Sequence, residues 1–130
     1  MAAEAVFIHS DELDRHPYPS SCPFSSQRAG MARDILASMH LLEGPGYGVE
    51  APDPATREEL EAFHVPEYLD ALTRAEAGQL GLEGLAMGIG TEDTPVFHGL
   101  TAYAALATGA TLLGARRVDE GSARVAFNPS

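Results

Sequence analysis

Histidine is the residue type in this chain best suited to chemistry, because a neutral imidazole binds metals and transfers protons near neutral pH. Two ligands on one helix or strand usually have i, i+2 or i, i+4 spacing, and no two histidines here do. The sequence therefore predicts no metal ligands in this chain, and we interpret each histidine as a loop or packing residue. The five are His9, His16, His40, His64 and His98.

Nucleophile and phosphate-binding motifs are also missing from the sequence. There is no Gly-x-Ser-x-Gly elbow, and Gly88-Ile89-Gly90 lacks the third glycine of a dinucleotide fingerprint and the lysine of a P-loop. Cys22 is the only cysteine, which excludes an internal disulfide and a thiolate cluster, and we interpret it as an inert thiol. The residues alone predict no catalytic constellation.

Two charged residues stand out by position. Asp93 ends a glycine-rich segment just before a predicted helix, where a carboxylate could accept hydrogen bonds from the backbone amides of a ligand. It could equally be a helix-terminus charge that complements the dipole. Arg28 lies in the first turn of another predicted helix, where the dipole disfavours a cation. A polar site that needs a positive charge would explain Arg28, and so would simple exposure to solvent.

The elements that must position these residues alternate between strand and helix. Apolar runs predict strands at 5–8 and 124–127, with a brief strand at 48–51 between them. Capping residues, prolines and apolar periodicity predict helices between these strands. The predicted helices run from Ser25–Ser26 to about Leu42, from Asp53-Pro54 with a Thr56–Glu59 capping box, from Pro66 to near Gly78, and from Thr94-Pro95 and Val96 to about Arg117.

Two segments, 11–26 and 78–93, carry many prolines or glycines and are predicted to lack regular structure. The whole pattern predicts an α/β fold with an open parallel sheet, rich in helices and with two or three strands. Parallel sheets normally need more strands and cover on both faces. We therefore expect residues 1–130 to form a single incomplete domain with an exposed sheet edge.

Composition limits the classes of partner. Nineteen acidic residues against eight basic ones give a net charge of -11, which disfavours direct nucleic-acid binding. Such a surface could attract a cationic partner such as a lysine-rich peptide or a polyamine, or it could serve solubility alone with no partner implied. The first residues lack a signal-peptide pattern, and no apolar run approaches the roughly 18–20 residues that span a bilayer. We expect a cytoplasmic protein with no membrane partner.

Several segments, taken in order, resemble the histone deacetylase and acetoin-utilization family. Residues 63–72 resemble its His-x-Pro-Glu-Tyr-Leu helix, and residues 88–97 resemble a rim loop in which Asp-x-Pro precedes a buried helix. The alanine- and glycine-rich helix that follows, the strand ending at 126–130, and the early segments 16–17 and 27–31 also match in order. The resemblance covers essentially the whole chain.

This resemblance implies an open α/β sheet shared with arginases and a zinc-dependent hydrolysis of acetylated amines, either acetyl-lysine or a small acetylated amine. It implies that Asp93 binds the substrate backbone and that Arg28 lines an interior channel behind the metal. The family's zinc ligands, one histidine and two aspartates, and its catalytic histidine pair are not present here. We therefore expect the N-terminal portion of a deacetylase, with no zinc bound and no activity on its own.

Two alternatives remain open from the sequence. The chain could be a non-catalytic fragment or an interaction module that covers its sheet edge by self-association. It could also be a small stand-alone α/β ligand-binding domain unrelated to deacetylases.

Overall fold

Three parallel strands form one sheet in the computed structural model, which describes residues 2–130. The strands are β1 (Ala3–Ile8), β2 (Tyr47–Glu50) and β3 (Ala123–Phe127), in the spatial order β2-β1-β3. Phe7 of the central strand is in register with Val49 on one side and Phe127 on the other. The predicted parallel α/β architecture with two or three strands is confirmed.

Five helices connect the strands, together with one short 3-10 turn at Asp11–Asp14. The Thr56–Glu59 capping box and the Pro66 helix start form as predicted, because both signals are local hydrogen-bonding and φ preferences. The helices are α1 (Gln27–Ser38), α2 (Arg57–Glu61), α3 (Pro66–Glu76), α4 (Leu82–Ala86) and α5 (Leu100–Asp119).

The long helix α5 packs against one face of the sheet, and two glycines make this close packing possible. A Cβ at Gly114 would lie only 3.1 Å from Ala126 of β3 and from Ile8 of β1. A Cβ at Gly109 would overlap the carbonyl oxygen of Asp53 in the segment before α2. Both glycines therefore let α5 lie closer to its neighbours than a larger residue would allow.

The predicted start of the last helix is wrong. The helix begins at Leu100 rather than near Val96, and Gly99 precedes it in a left-handed conformation with φ of 88°. The Thr94 hydroxyl does not cap this helix, because it donates to the carbonyl of Gly88 and so closes the preceding loop. The cap comes instead from Glu76 at the end of α3.

Other parts of the chain also differ from the prediction. Helix α2 begins at Arg57 rather than at Asp53-Pro54, because its first turn is capped by Thr56. Helix α1 ends at Ser38 rather than Leu42, and His40 follows with a positive φ of 58° that ends the helical path. Segment 78–93 contains the short helix α4, and segment 11–26 begins with the 3-10 turn, which is capped by Ser10 and buries Leu13. Both segments are otherwise irregular.

One face of the sheet is only partly covered among residues 2–130. Phe7 of the central strand is buried, but the residues that flank Ala5 and Phe7 on both edge strands are half exposed. We name these neighbours the open sheet face: Tyr47 (54% exposed), Val49 (50%), Val125 (57%) and Phe127 (54%). Within the same residues, none of the helices combines the length and apolar character that crossing a bilayer requires.

Candidate functional site

The carboxyl ends of the three parallel strands lie at one edge of the sheet, which is where open α/β sheets bind ligands. His9 directly follows β1, and Asn128 directly follows β3. The Asn128 amide donates to Thr111 of α5 at 3.0 Å, and the Asn128 side-chain oxygen accepts from the backbone N–H of Ser130. The segment after β3 is therefore fixed against α5.

Asp93 belongs to a loop that is closed by its own hydrogen bonds. The Thr94 carbonyl accepts from the N–H of Gly90 at 2.9 Å, and the Thr94 hydroxyl is 2.7 Å from that of Thr91. These bonds hold the loop around Asp93, which is exposed. Among residues 2–130 its carboxylate has no hydrogen-bond or ion-pair partner, so it is free to accept from a ligand.

A small cavity of about 150 Å³ lies beside Asp93, and three separate segments form it. The early loop contributes Tyr18, helix α3 contributes Tyr68 and Leu72, and the segment before α5 contributes Ile89 and Pro95. Two of the segments that the sequence singled out, the early loop and the glycine-rich segment, thus meet at Asp93.

Aromatic packing fixes the position of Tyr18. Its ring lies 4.4 Å from that of Phe97, 4.7 Å from that of Phe24 and 5.5 Å from that of Tyr103, measured between centroids. Burial raises the pKa of Tyr18, and it raises the pKa of Tyr103 to about 12. Both phenols are therefore neutral at physiological pH.

Arg28 lies at a different cavity, of about 300 Å³, between the start of α1 and the end of β3. Phe24, Phe127 and Ser130 also line this cavity. The Arg28 side chain is exposed and, within the described part of the chain, has no carboxylate partner. The structure therefore does not bring Asp93 and Arg28 into one cavity, and Arg28 lies at the carboxyl-end edge of the sheet.

Sequence spacing missed a cluster formed by His9, Asp11 and Asp14, whose ligating atoms lie within 4.8 Å of one another. His9 is only 4% exposed, and its Nε2 is 3.1 Å from Asp14 Oδ2, whereas its Nδ1 has no partner among residues 2–130. Asp14 Oδ1 accepts from the Gly30 N–H at 3.1 Å. The spacing of two and five residues follows from the 3-10 turn, which the sequence did not predict.

One imidazole and two carboxylates are donors that zinc accepts, but their other contacts do not fit a bound ion. Asp11 is ion-paired with Arg33, which lowers the pKa of Asp11 through a hydrogen bond and charge attraction. Both oxygens of Asp14 are engaged by His9 and Gly30. A cation would have to displace Arg33 and break the His9–Asp14 contact, so we interpret the cluster as an anchor between β1 and α1.

Comparison with known proteins shows the same fold and a shared family. The protein-family model that describes the histone deacetylase domain matches residues 22–130 of this chain. The acetoin utilization protein AcuC of Bacillus subtilis is 36% identical over 126 residues, which cover 96% of this chain and 32% of that protein. Histone deacetylase RPD3 of Saccharomyces cerevisiae is 28% identical, covering 95% of this chain and 28% of that protein. The crystal structure of a histone deacetylase homolog from Aquifex aeolicus superposes with a TM-score of 0.80 at 28% identity, covering 97% of this chain and 33% of that one.

The parallel α/β sheet with its polar residues at the carboxyl ends of the strands defines the class of fold. Within that class, the chain belongs to the histone deacetylase domain family. It spans about a third of the length of the relatives that it matches.

Proposed function

We propose that this chain is the amino-terminal portion of a zinc-dependent deacetylase domain that hydrolyses acetylated amines, either acetyl-lysine or a small acetylated amine. The observation that carries the proposal is the family match over residues 22–130. The free carboxylate of Asp93 beside a preformed cavity supports a binding role. The alternative of a stand-alone α/β ligand-binding domain unrelated to deacetylases is wrong, because the chain belongs to the histone deacetylase domain family.

In this proposal Asp93 and Arg28 support the reaction without doing its chemistry. Asp93 accepts hydrogen bonds from backbone amides of the substrate, for which an unpaired carboxylate on a fixed loop is suited. Arg28 provides a guanidinium at the cavity by the end of β3, where it can hold a carboxylate product. The separate cavities support these separate roles, one on the substrate side and one on the product side.

The family's zinc would polarise the acyl carbonyl and activate a water. Because the His9 cluster does not fit that ion, we propose that this chain holds no zinc and has no deacetylase activity alone. We expect no zinc-dependent turnover of a fluorogenic acetyl-lysine substrate above that of zinc in buffer. Turnover that a chelator abolishes, and that His9→Ala and Asp14→Asn also remove, would contradict this expectation.

The residue roles are testable in a longer, active protein that carries this chain. We expect Asp93→Asn to lower kcat/KM about tenfold, since it removes a charge-assisted hydrogen bond to the substrate. Glu92→Gln is the matched control, because it changes the neighbouring exposed carboxylate in the same loop. Equal effects of the two substitutions would show that only the general charge of the loop matters.

A second candidate function is a non-catalytic module that self-associates, and the open sheet face favours it. Four half-exposed apolar side chains on neighbouring strands can bury one another in a second copy. A cytoplasmic location and the absence of a nucleic-acid partner also remain part of our proposal. The charge of -11 supports the second of these, because it disfavours binding to a phosphate backbone.

A further inference from the structure

The cavity beside Asp93 has a composition that points to a particular class of ligand. Its volume of about 150 Å³ is enough for one benzene-sized group. Leu72, Ile89 and Pro95 form apolar walls, and Tyr18 and Tyr68 add two aromatic rings. The cavity therefore suits an apolar body rather than an ion surrounded by water.

The walls of this cavity are held in place without a ligand. Tyr18 is packed against Phe97 and Phe24. Ile89 is 2% exposed in a core cluster against which the partly buried Tyr68 and Leu72 pack. A ligand would therefore not have to order the side chains that it contacts, which lowers the entropic cost of binding.

The charged group at the cavity is negative. Asp93 is the only charged residue among those that line it, and its carboxylate is unpaired within residues 2–130. No arginine lines the cavity, and the sequence contains no lysine. Neutral tyrosine rings attract cations through their faces, and Asp93 attracts them by charge.

We propose that this cavity binds a small organic cation, with its apolar body between the tyrosine rings and its ammonium group at Asp93. The site goes beyond the proposed deacetylase function, because it needs neither a metal nor a hydrolytic step. All of its residues belong to this chain, so binding can be measured with the chain as it stands.

The test compares benzylammonium with benzyl alcohol, which has nearly the same shape and no charge. Saturation-transfer NMR and titration of the 130-residue chain measure both affinities at pH 7. We expect benzylammonium to bind about fivefold more tightly or better, and this preference to shrink in about 0.5 M salt. We expect Asp93→Asn to remove the preference while benzyl alcohol binds unchanged.

Glu92→Gln is the matched control and is expected to change the affinity for benzylammonium less than twofold, by roughly the effect of a remote screened charge. Tyr18→Ala, checked for folding by circular dichroism, is expected to weaken both ligands because it removes one wall. Equal affinities for the charged and neutral ligands would overturn the proposal. Equal losses from the substitutions at positions 92 and 93 would overturn it as well.

Discussion

Glu76 connects two helices that are distant in sequence. Its carboxylate, at the end of α3, accepts from the backbone N–H of Gly99 at 2.6 Å and from that of Thr101 at 2.9 Å. It also accepts from the Thr101 hydroxyl at 2.6 Å. The start of α5 would otherwise have unsatisfied N–H groups, and a negative charge there complements the helix dipole. Glu76 therefore caps the start of α5, the role that the sequence analysis predicted for Thr94.

We expect Glu76→Gln to reduce the free energy of unfolding by about 1–2 kcal/mol at pH 7, because an amide oxygen replaces a charged acceptor of three hydrogen bonds. Chemical denaturation followed by circular dichroism measures the loss. Glu92→Gln, at an exposed and unpaired carboxylate, serves as control and should change stability by less than about 0.5 kcal/mol. Similar losses in both variants would contradict the capping role.

The contribution of Glu76 should also depend on pH. Burial alone would raise the pKa of Glu76, but the hydrogen bonds from Thr101 and Gly99 outweigh it and hold the pKa below its ordinary value of 4.5. A lowered pKa means that the charged form stabilises the fold above the ordinary carboxyl pKa and that this stability is lost as pH falls through the lowered one. The difference between the wild type and Glu76→Gln should therefore be full at pH 7 and shrink below about pH 4. A difference that stays constant on acidification would contradict this linkage.

At the scale of elements, the contact between α5 and the segment before α2 depends on Gly109. The Ala55 N–H donates to the carbonyl of Ala105 at 2.8 Å, which brings the Asp53 backbone directly against the helix. We expect Gly109→Ala to destabilise the fold by about 2–3 kcal/mol, since a methyl group there overlaps backbone rather than a movable side chain.

Thermal unfolding of Gly109→Ala measures this loss, and Gly81→Ala is its control. A Cβ at Gly81 meets nothing within 4 Å, and its φ of -105° is open to any residue. A melting temperature for Gly109→Ala that equals that of the control would show that the segment before α2 can move away from α5.

Elements with local signals were predictable, and those set by distant partners were not. The apolar run 5–8, the Thr56–Glu59 box and Pro66 act within a few residues, and each gave the observed element. The start of α5 is set by Glu76, 23 residues before Gly99, so the local Thr94-Pro95 signal misled. The residues of the candidate site divide in the same way, between those with a local sequence signal and those placed by distant contacts. Asp93 and Arg28 were proposed from position and resemblance and stay predictions, whereas the cavity wall at Tyr18 and the His9–Asp14 contact depend on tertiary packing.

For the whole molecule, the balance of covered and uncovered apolar surface decides its behaviour in solution. Helix α5 covers one face of the sheet, and its Arg117 forms a bidentate pair with Glu50 of β2. The open sheet face is only partly covered among residues 2–130. Apolar side chains are also exposed on and just after helix α1, where Met31, Ile35 and the capping residue Met39 are each about three-fifths exposed. Exposed apolar patches of this kind are typical of surfaces that bind protein.

We therefore expect the isolated chain to self-associate through the open sheet face, so that sedimentation velocity shows masses above the single-chain 13.7 kDa as concentration rises. Val125→Glu should shift the distribution towards that mass, because a charge on an edge strand opposes both face burial and strand pairing. Leu82→Glu places the same charge at an apolar residue that is 86% exposed on α4, outside the open sheet face, and should leave association unchanged.

The net charge of -11 opposes association at low salt, so the effect should be clearest at about 0.15 M ionic strength, where the Debye length is about 8 Å. A wild type that stays at one chain mass across the concentration range, with sharp unfolding, would show that the open sheet face is stable in water and would count against the self-associating module.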